Sequence, residues 1–194
     1  MRSDTRATLI DDATTLVRRR GYAGFSYADL SEAVGIRKPS IHHYFPLKED
    51  LGAAIVDAYT TAFAERLEEI SATSRNTRKR LESYAALYRE GLAAGEGCLC
   101  GVLASELAGL PTKVRSGVER FFALNLDWIE HVLRDDGTAR GSCGPEAARR
   151  RATTVLATFQ GAVFVALAMG TPDTFDAAVS GLLSTFAPAP AAHR

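Results

Sequence analysis

Gly21 to Leu51 reads GYAGFSYADLSEAVGIRKPSIHHYFPLKEDL, and the fold of the chain is decided there. Ser26 stands three residues before Asp29, the spacing of a helix cap and a first-turn acid. A helix is predicted over 27–34, with Ala28, Leu30 and Val34 inward. Gly35 follows where a tight turn between two helices needs a residue without a Cβ. Pro39 fits the first turn of the next helix, because its missing N–H is unpaired there in any case. That second helix is predicted over 39–44, and Pro46 follows it. Two short helices joined by a glycine turn are helix-turn-helix geometry, in which the second helix lies in the major groove of DNA.

The charge pattern agrees with a nucleic-acid partner. Residues 33–48 contain Arg37, Lys38 and Lys48 and no carboxylate, whereas the whole chain balances 23 Lys+Arg against 23 Asp+Glu. Ser40, His42, His43 and Tyr44 lie among those cations and can reach base edges or phosphates. The overall balance excludes a polybasic protein that coats nucleic acid by charge alone.

Outward from this segment every pattern is helical. Residues 5–20 carry Leu9, Ala13, Leu16 and Val17 on one face, with Arg18, Arg19 and Arg20 in the last turn and Gly21 as the stop. Leu51, Ile55, Tyr59, Ala62, Phe63, Leu67 and Ile70 mark a long helix over 48–70. Leu81, Tyr84, Ala85, Tyr88 and Leu92 mark the next, broken at 95–97. A short helix is predicted over 98–110. A longer one follows over 114–133, with Val118, Phe121, Phe122, Leu126, Ile129 and Leu133 inward. Residues 135–145 read as a glycine-rich loop. Then come an apolar helix over 147–169 and a last one from about 172 with Phe175, Val179, Leu182, Leu183 and Phe186 on one stripe. The terminal APAPAAHR reads as frayed. With 32 Ala against 17 Ile+Val, composition also favours helix over strand. The expectation is an all-α chain of about nine helices: a three-helix DNA-binding domain at 1–50, then a helical effector and dimerisation domain at 51–194.

The uncharged run 152–172 is interrupted by Thr158, Gln160 and Gly161 and reads as a helix buried in a core or dimer seam, not as a membrane span. The N-terminus has acids and no apolar core of a secretory signal, so the expected compartment is the cytoplasm. Cys98, Cys100 and Cys143 form neither a disulfide framework nor paired zinc knuckles, and no cofactor or metal is implied.

At fixed spacing, Gly21, Tyr22, Ser26, Leu30, Val34, Gly35, Ile36, Lys38, Ser40, Ile41, Tyr44, Phe45, Lys48, Glu49 and Leu51 resemble the N-terminal signature of the TetR/AcrR family of bacterial transcriptional regulators. The resemblance implies a homodimeric repressor with a DNA-binding head and a helical domain that takes a small-molecule effector. It implies that Lys38, Pro39, Ser40, His42 and His43, with Arg37 before them, lie on the recognition helix. It also implies that Tyr44 and Lys48 meet phosphates, and that Ser26 and Tyr27 open a helix whose N–H groups hold one. There are three departures: Arg37 stands where serine usually caps the recognition helix, His42 where tyrosine is usual, and Ser31 where alanine is usual.

Gly97-Cys98-Leu99 and the residues after it resemble a NemR-like branch, which implies that Cys98 senses electrophiles or oxidants. A thiol at a helix N-terminus has its reactive thiolate favoured by the dipole. Glu96 opposes this, and the partner lysine of the branch aligns near Leu167. The other effector mode is non-covalent, in an apolar pocket lined by rings among Tyr84, Tyr88, Phe121, Phe122, Trp128, Phe159 and Phe164. Two rivals are a small-molecule-binding adaptor without operator binding and a helical enzyme using Cys143 or Cys98 with His131. No spacing supports the enzyme. Replacing Lys48 with Ala is expected to weaken binding to all DNA sequences alike and to reduce the slope of affinity against salt by about one. Fluorescence anisotropy over a salt series checks this.

Overall fold

The computed structural model describes residues 2–135 and 144–186, with side chains from residue 5 onward. Nine α-helices occur among them: α1 (Arg2–Arg20), α2 (Tyr27–Val34), α3 (Lys38–Tyr44), α4 (Lys48–Thr73), α5 (Thr77–Ala93), α6 (Leu99–Ser105), α7 (Thr112–Arg134), α8 (Pro145–Met169) and α9 (Asp173–Ser184). The described residues contain no strand. Cys143 and the terminal APAPAAHR lie outside the described residues.

The chain forms two compact units, Met1–Glu65 with Gly95–Leu124, and Arg66–Ala94 with Asn125–Arg194.

In the first unit, Leu9, Ala13, Val17, Leu30, Ile41, Leu51, Ile55 and Val56 are fully buried, and Phe25 and Phe45 nearly so. Full burial of such side chains is worth about 1.5–3 kcal/mol each, which lets helices too short to persist alone hold their shape. Each is also punctuated locally. Ser26 accepts the N–H groups of Ala28 and Asp29, while Asp29 takes the Ser26 N–H at 2.8 Å, a complete capping box. Gly35 sits at φ +74° and donates to the Ser31 carbonyl. The Ser31 hydroxyl donates to Ile36 O at 2.5 Å, so the serine that departs from the usual alanine closes the helix-turn-helix turn.

In the second unit, α5 packs on both α8 and α9, which pack on each other. Arg80 is 5% exposed and donates to Ser74 O, to Ser71 O and to Asp135, tying the end of α4 to the end of α7. Tyr84 is fully buried, donates to Asn125 Oδ1 at 2.7 Å and shares a 2.8 Å hydrogen bond with the Tyr88 hydroxyl.

Several expectations are corrected. Ala28 and Ala62 are exposed and Val34 only half-buried. An eight-residue helix needs one anchor, which is Leu30, and a methyl group is cheap to leave in water. Phe122 and Leu126 are half-buried, while the buried position between them on α7 is polar Asn125. The helix expected over 98–110 ends at Ser105 and gives way to a 3-10 turn at Leu107–Gly109. There the Glu106 N–H turns to Leu103 O, and the Ser105 hydroxyl donates to Val102 O. The apolar α8 is long and apolar enough to cross a membrane by composition. One face, including Ala152, Val155, Phe159 and Val163, is buried, and another exposes Ala157, Gly161, Phe164, Val165 and Ala168.

Candidate nucleic-acid interface

Recognition by a helix needs side chains that are outward, unpaired with acids and rigidly carried. α3 meets the first condition. It buries only Ile41, while Arg37, Lys38, Pro39, Ser40, His42 and His43 are exposed and Tyr44 is half-buried. None of the ion pairs formed among the described residues involves Arg37 or Lys38. Arg37 occupies the N-cap without any side-chain hydrogen bond, because a guanidinium has no acceptor to offer. A cleft of about 520 Å³ runs beside the helix, lined by Thr5, Ile36, Pro39, Ser40, His43 and Tyr44.

Rigid carriage comes from the neighbours. The Tyr27 hydroxyl donates to Phe45 O at 2.9 Å, and its ring meets the His42 imidazole edge-on at 4.8 Å. Tyr27 therefore braces α3 in addition to standing at the start of α2. His42 Nδ1 lies 3.2 Å from Pro46 O. Lys48 is drawn inward: Nζ donates to Tyr22 O and Phe25 O, both at 2.6 Å, and sits 4.5 and 4.3 Å from the centres of those two rings. Burial lowers its pKa. Two of its three donors thus hold the α1–α2 connection, and only the salt slope, not affinity alone, isolates a phosphate contact for it.

The residues expected to serve the effector fall into two clusters, each within one unit, except Phe164, which is exposed on α8 and joins neither. In the first unit Phe121 meets Phe63 at 5.1 Å, Tyr59 at 5.5 Å and Phe122 at 5.6 Å. Beside them Cys98 is the N-cap of α6, 4% exposed, and accepts from the Tyr59 hydroxyl at 3.8 Å. Burial and the neighbouring thiol push the Tyr59 hydroxyl well above its ordinary range. Glu96 does not act on the thiol as a bare charge, since Arg18 and Arg19 pair with it at 2.7 and 3.1 Å. Cys100 is buried and its thiol is pushed up. In the second unit Tyr84 stacks on Trp128 at 5.3 Å and on Phe159 at 5.5 Å, and Tyr88 meets Phe159 edge-on at 6.1 Å. Gln160 Nε2 donates to the Tyr88 hydroxyl at 3.3 Å, and Trp128 Nε1 to Ser71 Oγ at 2.9 Å. Asn125 is not among the residues that the sequence singles out, although a polar residue inside an apolar stripe is a signal; Tyr59 stands there only as part of a stripe and Gln160 only as a break in an apolar run.

Residues 9–55 match the family profile "Bacterial regulatory proteins, tetR family", and residues 68–180 match "Transcriptional regulator LmrA/YxaF-like, C-terminal domain". The crystal structure of a TetR-family transcriptional regulator from Agrobacterium tumefaciens is 32% identical, with a TM-score of 0.87 over 94% of this chain and 97% of that one. The reduced form of Escherichia coli NemR is 25% identical, with a TM-score of 0.79 over 96% of this chain and 99% of its own. The HTH-type transcriptional repressor DhaR of Mycobacterium sp. strain GP1 is 27% identical over 84% of this chain and 82% of its own length.

Burial raises the hydroxyls of Tyr22 and Tyr27 to about 12 from 10.0. Each prefers its neutral form when folded, so its stabilisation is complete below pH 10 and is lost as pH rises toward 12. Alkaline unfolding followed by circular dichroism should therefore begin above pH 10, and Tyr27→Phe should flatten that part of the curve.

Proposed function

Because this chain belongs to the TetR family of bacterial regulatory proteins, we propose that it reads a palindromic operator as a homodimer, one α3 from each copy in the major groove. It is a DNA-binding transcriptional repressor governed by a small-molecule effector, and not an enzyme. The observation that carries the operator reading is α3 itself, which buries Ile41 alone and presents cations and hydrogen-bonding side chains without a carboxylate. Lys38, Ser40, His42 and His43 reach the bases or adjoining phosphates. Arg37, Pro39, Tyr44, Lys48 and the Ser26–Tyr27 helix start frame them. Residues 1–50 form the reading head and 51–194 the effector and dimerisation part. Two heads stand about 34–36 Å or slightly more apart, one turn of duplex.

The exposed faces of α8 and α9 support the dimer. The exposed stripe of α8 at Ala157, Gly161, Phe164, Val165 and Ala168 repeats at helical spacing, and α9 exposes Ala177, Gly181 and Ser184 likewise. A Cβ added at Gly161 or Gly181 would meet nothing within 4 Å in the single chain. Two such helices per copy make a four-helix seam, which accounts for the apolar run without a membrane and suits a cytoplasmic regulator. Val165→Glu should yield a monomer in sedimentation at micromolar concentration, with operator binding lost. A variant that remains dimeric would overturn this seam.

The effector seat is the Tyr88–Trp128–Phe159 cluster, where rings and buried hydrogen-bonding groups converge. A second reading is favoured by the Tyr59 hydroxyl directed at Cys98: oxidation or alkylation of that thiol, beside Phe121 and Phe122, as the releasing event. Mobility shift on the DNA flanking its own gene, with and without dithiothreitol, separates the cases. A shift indifferent to thiol supports the non-covalent effector. Loss on oxidation that thiol restores supports Cys98. No shift under either condition supports the adaptor.

A further inference from the structure

The connection from α1 to α2 is held by two opposite charges. α1 closes with the Gly21 N–H on Val17 O at 2.8 Å, and Gly21 takes φ +78°. The next two amides then point to one carboxylate: Tyr22 N–H to Glu106 Oε1 at 3.1 Å and Ala23 N–H to Glu106 Oε2 at 2.9 Å. Successive N–H groups after a left-handed residue form an anion-binding concavity. The carboxylate fills it so closely that a Cβ on Gly21 would stand 1.8 Å from Oε1. The carbonyls of the same segment, Tyr22 O and Phe25 O, both face the Lys48 ammonium. The charge of Glu106 favours that ammonium against its burial.

Glu106 closes α6, and the opposite end of α6 is tied to the same stretch of α1. Arg18 donates to Gly97 O at 2.7 Å and, with Arg19, pairs with Glu96. The last turn of α1 and the turn after it therefore grip α6 at both ends. Arg20 continues the chain of contacts to Asp29 in the first turn of α2 at 3.2 Å. The position of α2, and of α3 joined to it, is referred to a carboxylate more than eighty residues away in sequence.

We propose that Glu106 is a positioning residue for operator recognition: its carboxylate, seated in the Gly21–Ala23 turn, sets the attitude of α2 and α3 without touching DNA. The proposal rests on the operator reading above. A carboxylate offers one oxygen to each amide, and such charge-assisted bonds are about twice as strong as neutral ones. Glu106→Gln keeps size and shape but turns an NH₂ toward one of the two N–H groups, so it removes the grip without emptying the place.

The test uses a duplex selected from a random pool by the wild-type protein and a scrambled duplex of the same composition. Glu106→Gln should lose about tenfold or more in affinity for the selected duplex while changing by under about twofold on the scrambled one. Phosphate attraction belongs to the head itself, whereas base readout needs its attitude. Amide hydrogen exchange at Tyr22 and Ala23 should accelerate in the same variant. A parallel loss on both duplexes would overturn the positioning role in favour of a purely structural one. Unchanged affinity for the selected duplex, or unchanged exchange at both amides, would overturn it outright. A wild-type protein that selects no duplex would sink the operator reading and this proposal together, a result distinct from any failure of the variant.

Discussion

A seven-residue helix does not persist alone in water, because its nucleation cost exceeds what so few hydrogen bonds return. Everything about the reading head follows from that constraint on α3. Its one inward residue, Ile41, is fully buried. Its C-cap residue, Phe45, is nearly so, and the Phe45 carbonyl is claimed by Tyr27. Its N-terminus has no side-chain cap, and Pro39 merely removes a donor that would otherwise be orphaned. The helix is stable by attachment, so its outer face is left for recognition.

The local part of this design was legible in the sequence because its signals are local. Ser26 with Asp29, Gly35 and Pro39 each mark a boundary by their own chemistry, and the start and stop of α2 were read to the residue. Periodicity marks the long helices: the expected stripe on α5 is buried throughout, while on α9 Phe175, Val179 and Leu183 are buried, Leu182 is half-buried and Phe186 lies half-buried beyond the helix end. Ala28 and Ala62 fit an apolar period yet face water, since alanine follows helical spacing without needing burial. α6 ends earlier than its periodicity predicts, and Glu106 at that end binds the amides of Tyr22 and Ala23, partners that no window around residue 106 contains.

The candidate site was legible by residue type and less so by arrangement. Arg37, Lys38, Ser40, His42 and His43 are all exposed. Tyr27 and Lys48 have internal duties that a motif does not disclose, namely the brace on Phe45 and the clamp on two carbonyls. The aromatic set expected to line one pocket divides instead into a ring cluster around Phe121 and another around Tyr84. Sequence spacing on a helix says which residues share a face; it does not say which other helix that face will meet.

The small residues along α8 and α9 carry one more consequence. In the seam proposed above, Gly161 and Gly181 would let two backbones approach, and a fit of that kind would tolerate little added volume. Such a seam would distinguish self from near-self by bulk. In a cell holding many regulators of similar build, a single methyl group on a duplicated copy would bar it from pairing with the original. The subunit contact would then act as an insulation device that keeps parallel regulatory circuits from exchanging halves.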